Sequence, residues 1–279
     1  MNIHTLQAKN LKAGYNKTVI IDGIDVTIPS NKISVIIGSN GCGKSTLLKN
    51  FARLIKPFDG EILLDGAGYD KMHSKDLAKI IGLLPQSPMV PESITVYDLV
   101  ARGRYPYQKP FSQLTSEDQE AIEEAMEMMG VSKLRDQFVE ELSGGQRQRV
   151  WIAMALAQQT DILFLDEPTT FLDISYQVQI LELLKNLNEK KGTTIVMVLH
   201  DINLASRYAD CLFAMKNGEL IAAGSPEDIL NEELMLRVFN LECILMKDPV
   251  SGSPFIVPKG RAHLRPESQD EGKKISQVV

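Results

Sequence analysis

"GSNGCGKSTLLKN", residues 38–50, follows the apolar run Ile33–Ile37. Its glycines and small polar residues cannot fill a core, so the stretch reads as a strand that stops, a loop that turns and a helix that starts. Gly38, Ser39, Asn40, Gly41, Cys42, Gly43, Lys44 and Ser45 fit G-x-x-x-x-G-K-[ST], with Thr46 carrying on into the helix. Glycines let the backbone curl until successive N–H groups point inward at a phosphate. The helix that follows turns its free N–H groups and positive dipole end to the same anion. That dipole contributes only ~0.3–1 kcal/mol at an exposed site, too little to hold a triphosphate. Lys44 therefore supplies full charge to the β- and γ-phosphates, and Ser45 a hydroxyl for Mg²⁺. Cys42 has two readings: a thiol activated by the helix N-terminus, or a small residue that simply fits the loop, which is the reading favoured here.

A second stretch supplies carboxylates. "ILFLDEP" sets Asp166 and Glu167 at the carboxyl end of an apolar strand, the edge at which open parallel sheets gather ligands. One carboxylate can hold the water shell of Mg²⁺ while its neighbour orients an attacking water. Pro168 ends the strand.

The third stretch is "ELSGGQRQRVWIAMALAQQ". Ser143 and Gln146 form an S-x-x-Q capping box over the helix that follows. Gly144 and Gly145 then cost that helix ~1 kcal/mol each in propensity, which a simple cap does not require. Paired glycines at a helix N-terminus let a second phosphate group approach the backbone closely.

Around these stretches the chain alternates strand and helix. "HTLQAKNLKAGY", "TVIIDGIDVTI" and "GEILLDG" read as strands near the start. "TVYDLVARG" opens on a Thr95–Asp98 capping pattern, and "TSEDQEAIEEAMEMMG" runs from Thr115 to Gly130 with Ile122, Ala125, Met126 and Met129 on one face. "DILFLDE" and "TTIVMVLH" are unalternating apolar runs, expected of parallel strands buried on both faces, and "SYQVQILELLKNLNEKKG" between them is a helix ended by Gly192. "CLFAMKNGELIAAG" is a hairpin turning at Asn217-Gly218, and "ILMKDPVSGSPFIVP" a second hairpin. The expected fold is α/β: a P-loop nucleotide-binding core with a parallel sheet, an N-terminal antiparallel β subdomain and a helical lobe inserted at about 87–158. One domain covers 1–260, and 261–279 is a polar, mobile tail.

The totals exclude several classes. The 279 residues are 44% hydrophobic and 24% charged, ordinary for a globular protein. No apolar run approaches the ~20 residues of a bilayer span, and the first residues carry no signal-peptide pattern, so a cytoplasmic location is expected. A net charge of −6 with no basic block argues against a grip on nucleic acid. Three scattered cysteines suit neither a disulfide framework nor a zinc site.

"LSGGQ", the phosphate loop and "ILFLDEP" together resemble the ATP-binding subunit of an ABC transporter, over about residues 3–258. The resemblance implies a head-to-tail dimer, each ATP lying between Gly38–Thr46 of one copy and Ser143–Gln146 of the other. It places Tyr15 against adenine, Gln86 as a sensor of Mg²⁺ and nucleotide, and His200 at the γ-phosphate. Ser45, Gln86 and Asp166 are the implied metal residues, with Glu167 as general base. Lys44, Gln86 and His200 are implied to stabilise charge on the transferring phosphoryl group. "TTFLD", ending at Asp173, falls where the family crosses its dimer interface, and Phe171 departs from the small residue common there.

Chromosome-maintenance and translation relatives carry long coiled coils or two cassettes, and neither is seen in this sequence. The branch resembled is therefore a bacterial importer ATPase, peripheral on the cytoplasmic face of the membrane. Its partners are multi-span permease subunits and, indirectly, an extracytoplasmic substrate-binding protein. "GRYPYQ", residues 103–108, falls in the lobe where the family docks its permease and resembles importers of iron–siderophore complexes. Haem or cobalamin import is the near alternative, and a soluble ATP switch acting on DNA or ribosomes the distant one. As residues alone, this aromatic and proline cluster reads equally as a partner contact or as an irregular loop tucked onto its own lobe.

Overall fold

The computed structural model describes residues 3–86, 92–109, 112–170 and 172–260. The expectations for Phe171 and for the tail at 261–279 lie outside these residues.

Strands β1 (Leu6–Tyr15) and β2 (Thr18–Ile28) precede β3 (Ile33–Gly38), which runs into helix α1 (Lys44–Phe51). Next come β4 (Asp59–Leu64), the short β5 (Ala67–Gly68), α2 (Ser74–Ile80) and β6 (Ile81–Leu84). Three helices follow: α3 (Val96–Ala101), α4 (Ser116–Met128) and α5 (Gly144–Ala157). The chain then alternates through β7 (Ile162–Asp166), α6 (Ile174–Lys191), β8 (Thr194–Val198), α7 (Ile202–Tyr208) and β9 (Cys211–Lys216). It closes with β10 (Glu219–Gly224), α8 (Pro226–Ile229), α9 (Glu232–Phe239), β11 (Cys243–Lys247) and β12 (Pro254–Pro258). Among the described residues no helix is long and apolar enough to cross a membrane.

The central sheet has the order β10-β9-β3-β8-β7-β6. Every pair in it is parallel except β9–β10. All residues of β3, β7 and β8 are buried, which is why these segments show no polar alternation. The period of two survives in which core each side chain enters. Val35, Leu165 and Met197 join the core formed with the helices. Ile36, Phe164 and Val196 join a second core with α1 and the antiparallel sheet β2-β1-β4-β5. Phe51 of α1 stacks on Phe164 with ring centroids 5.9 Å apart.

Local chemistry sets the helix starts where the sequence placed them. Thr115 and Asp118 form a reciprocal capping box on α4, Thr95 accepts from Asp98 N at α3, and Asp173 caps α6, which Gly192 ends. Helices α3, α4 and α5 pack on one another between β6 and β7. Ile122, Ala125, Met126 and Met129 are all buried there, so the methionine stripe is core.

The β9–β10 hairpin turns on Asn217 (φ 49°) and Gly218 (φ 83°), the left-handed pair that a two-residue turn requires. Its tip reaches the phosphate loop: Gly218 N donates to Cys42 O at 3.1 Å, and Asp22 N to Gly218 O at 3.3 Å. A Cβ on Gly218 would lie 2.2 Å from Ile20 O, so only glycine fits.

Candidate nucleotide site

Four neighbouring parallel strands deliver the site at their carboxyl ends. β3 ends at Gly38 and opens the phosphate loop, β7 ends at Asp166 with Glu167 next, and Gln86 and His200 each follow by two residues the ends of β6 and β8.

Gly38 has φ 152°, and a Cβ there would sit 2.2 Å from Met215 O of β9. The loop closes with Cys42 N donating to Ser39 O at 3.3 Å. Gly43 caps α1 in the left-handed conformation without any side-chain acceptor, which leaves the first-turn N–H groups of Lys44, Ser45 and Thr46 for an anion. Lys44 is buried, and its ammonium donates to Gly38 O at 2.9 Å and Ser39 O at 3.0 Å. Cys42 is also buried, and burial pushes its thiol above the ordinary cysteine range despite the nearby Lys44. The structural reading of Cys42 therefore holds over the reactive one.

The two carboxylates have different neighbours. Asp166 Oδ1 accepts from Ser45 Oγ at 2.8 Å. Burial raises the Asp166 carboxyl above the ordinary range, opposed by the Ser45 bond and aggravated by the charge of Glu167. Glu167 is gripped at both oxygens. Oε2 accepts from Gln86 Nε2 at 2.6 Å and Thr170 Oγ1 at 3.0 Å, while Oε1 lies 2.6 Å from His200 Nε2. Its backbone is left-handed at φ 55°, a conformation that a non-glycine residue adopts only when its surroundings impose it.

Tyr15, Asn40, Gly41, Gly43 to Thr46, Gln86, Glu167 and His200 line a single cleft of roughly 440 Å³. Tyr15 is 43% exposed at the end of β1, open for a ring to stack on it. Sequence reasoning missed two members. Ile20 adds an apolar wall beside Tyr15 in this cleft, and Thr170 bonds Glu167. A hydroxyl three residues past the carboxylate was the available signal for Thr170; Ile20 is one of many strand isoleucines and gave none.

Ser143, Gly144, Gly145 and Gln146 do not line the cleft. They form the start of α5, where the capping box is complete: Gln146 N donates to Ser143 Oγ at 3.3 Å and Ser143 N to Gln146 Oε1 at 3.0 Å. A Cβ on Gly144 would meet nothing within 4 Å, so packing inside the chain does not demand glycine there.

The donors present suit Mg²⁺. Among the described residues no group of three His, Cys, Asp or Glu side chains could hold a metal alone. A hydroxyl and a buried carboxylate beside a phosphate loop are instead the hard-oxygen set of an ion held mainly by phosphates and water.

The family model for ABC transporters matches residues 21–170. The chain is 49% identical over 260 residues to the ferric enterobactin transport ATP-binding protein FepC of Escherichia coli (strain K12), covering 93% of this chain and 96% of FepC. It is 48% identical over 256 residues to the petrobactin import ATP-binding protein FpuD of Bacillus anthracis, covering 92% and 94%. Its fold is similar to the ATP-binding cassette MJ0796 in a dimeric post-hydrolysis state bound to ADP and Pi, with a TM-score of 0.70 and 30% identity over 79% of this chain and 98% of that one. Phosphate loop, paired carboxylates and glycine-started α5 thus sit on the expected fold, and this chain belongs to the ABC transporter family as one of its ATP-binding cassettes.

Proposed function

We propose that two copies of this chain pair head to tail, hydrolyse ATP, and drive a multi-span membrane permease that imports iron–siderophore complexes. The observation that carries the ATPase reading is the convergence of Lys44, Ser45, Glu167, Gln86 and His200 on one cleft, with Asp166 bonded behind Ser45. The siderophore assignment is supported by FepC and FpuD, related over nearly the whole chain. The dimer is supported by Ser143–Gln146 standing outside the cleft and by the dimeric MJ0796 cassette. Residues 1–260 act as one ATPase domain, with α3–α5 as its helical lobe at about 87–158. The protein works on the cytoplasmic face of the membrane, an extracytoplasmic binding protein supplies cargo to the permease, and no nucleic acid is involved.

On this reading Tyr15 and Ile20 take the adenine, and the loop N–H groups with Ser39 to Thr46 take the phosphates. Lys44 exchanges the carbonyls of Gly38 and Ser39 for β- and γ-phosphate oxygens. Ser45 and Asp166, with Gln86 near the γ-phosphate, would hold Mg²⁺, which neutralises phosphate charge when bound. Glu167 orients water and accepts its proton. Gln86 and His200, on either side of Glu167, face the charge that builds on the transferring group, and positioning does most of the work. Ser143 and the backbone of Gly144 and Gly145 complete the site from the second copy.

The test is co-purification from native membranes of tagged Glu167→Gln chain with MgATP. A stoichiometric multi-span membrane protein that restores iron–siderophore uptake is the expected outcome. Recovery of a haem or cobalamin permease would correct the cargo, and ribosomes or DNA alone would overturn the transport reading.

A further inference from the structure

Under the dimer reading just given, on which this inference rests, Glu167 and Ser143 of one chain serve different ATP molecules. Glu167 acts on the nucleotide seated on its own phosphate loop, and Ser143 reaches the nucleotide of the second copy. Inside the chain the two are fastened together. Gln148, in the second turn of α5, donates from Nε2 to the carbonyl of Pro168 at 2.9 Å. Pro168 directly follows Glu167, and a proline has no N–H, so this carbonyl is its whole backbone hydrogen-bonding capacity.

The same helix turns touch the next residues as well. A Cβ on Gly145 would lie 3.7 Å from Leu172 and 3.9 Å from Tyr176, and the Arg149 guanidinium lies 5.5 Å from the centre of the Tyr176 ring. From the other side Gln177 of α6 donates to Thr169 O at 3.3 Å and Leu172 O at 3.0 Å. Glu167 itself holds the left-handed backbone at φ 55°, which needs support from its surroundings. Gln148 is the side-chain bond that gives α5 a hold on that turn.

We propose that Gln148 is a positioning residue that couples the two ATP sites of the dimer. Seating the start of α5 on the second copy's ATP moves the Pro168 carbonyl through Gln148, and that sets the Glu167 carboxylate at the chain's own site. Hydrolysis at either site then depends on nucleotide at the other, without any direct contact between Gln148 and either nucleotide.

Gln148→Met tests this, because methionine keeps the length and helix propensity of glutamine and removes the amide, and with it the donor to the Pro168 carbonyl. ATPase rate is measured against ATP concentration for the wild type and the variant, alongside thermal unfolding. ATP-driven dimerisation is followed by size exclusion in Glu167→Gln and in the double variant. The wild type should give a sigmoidal curve. Gln148→Met should give a hyperbolic curve with kcat about tenfold lower, the scale of one lost positioning hydrogen bond, and little change in KM. Dimerisation at an unchanged ATP midpoint should persist in the double variant. A variant that keeps the sigmoid and the wild-type kcat overturns the coupling, as does a hyperbolic wild type. Loss of dimerisation in the double variant alone would make Gln148 part of the α5 contact surface rather than a coupler. Failure of Glu167→Gln itself to dimerise would strike the proposed function first.

Discussion

Gln86 and Glu167, just past the ends of adjacent parallel strands and 81 positions apart in sequence, are joined by a 2.6 Å hydrogen bond from the glutamine amide to Oε2. With Thr170 also on Oε2 and His200 on Oε1, both oxygens of the proposed base are engaged, and Oε1, with one partner, keeps a lone pair for a water. Replacing Glu167 by Gln removes the acceptor of a proton while keeping the side chain's shape. Steady-state hydrolysis should fall by about 10²–10⁴-fold, with ATP still bound and the dimer persisting on size exclusion. Near-normal hydrolysis by Glu167→Gln would remove this residue from the role of base.

On the proposed reading, Lys44 supplies the charge that the helix dipole cannot. Lys44→Ala should weaken MgATP binding by about 10–100-fold, the scale of a lost charge-assisted hydrogen bond, as read by titration with a fluorescent nucleotide. The fold should stay intact, because the carbonyls of Gly38 and Ser39 lose only a donor that the bound nucleotide would have taken from them.

Asp166 is held at a cost. Its carboxyl is raised by burial, so the folded chain binds that proton more tightly than the unfolded chain does. The sign follows: this group's contribution to stability is greatest at low pH and shrinks as the pH rises through the folded value. Asp166→Asn keeps an acceptor for Ser45 and deletes the buried charge. Without nucleotide at pH 7 its thermal midpoint should lie a few degrees above the wild type, while Mg²⁺-dependent hydrolysis is lost. A lower midpoint would contradict the desolvation argument.

Cys42 sits under the loop with a buried, raised thiol. Alkylation followed by mass spectrometry should find it slow to react, and slower still when MgATP is bound to Glu167→Gln. Labelling that speeds up with nucleotide would place Cys42 outside the phosphate cradle.

Arg104 and Asp118 form a buried ion pair at 2.8 Å, and Arg104 also donates to Ala157 O and stacks over Tyr107. Arg104→Met strands the carboxylate and should cost about 3–5 kcal/mol in urea unfolding. Burial pushes the Asp118 carboxyl up, but the bonds from Arg104 and Thr115 together bring it below the ordinary range. The stability it contributes is therefore present above about pH 4 and lost as the pH falls further through the folded value. The wild type's advantage over Asp118→Asn should be full at pH 7 and vanish in strong acid.

The local shape of the three stretches proposed to bind nucleotide was legible in the sequence because each is formed by neighbours in the chain. Spacing alone fixes how Gly38–Ser45 curl, how Ser143 and Gln146 cap each other, and how Asp166 ends a strand. Contacts made through strand order were not legible. Nothing near Gln86 or His200 in sequence says that they close on Glu167, since that follows from β6, β7 and β8 lying side by side. The bond from Gln148 to Pro168 was hidden for the same reason. "GRYPYQ" had two open readings, and the structure divides them residue by residue. Arg104 is 1% exposed and Tyr107 donates to Gln158 O, so both are tucked in, whereas Tyr105 is 65% exposed, with the Lys75 ammonium 4.9 Å from its ring centre. Composition reports the cluster; only the turn decides which ring faces out.

The hairpin tip at Asn217-Gly218 has a bearing on synthesis. Gly218 stands between Cys42 and Ile20, so the floor of the phosphate loop is finished by a turn that the ribosome reaches roughly 175 residues after the loop itself. At ~5–20 residues per second the nascent chain spends roughly ten seconds or more with its nucleotide motif made but unsupported. Until the turn is made, the phosphate loop lacks the Gly218 bond to Cys42 O, so the support beneath the motif is among the later parts of the sheet to be completed.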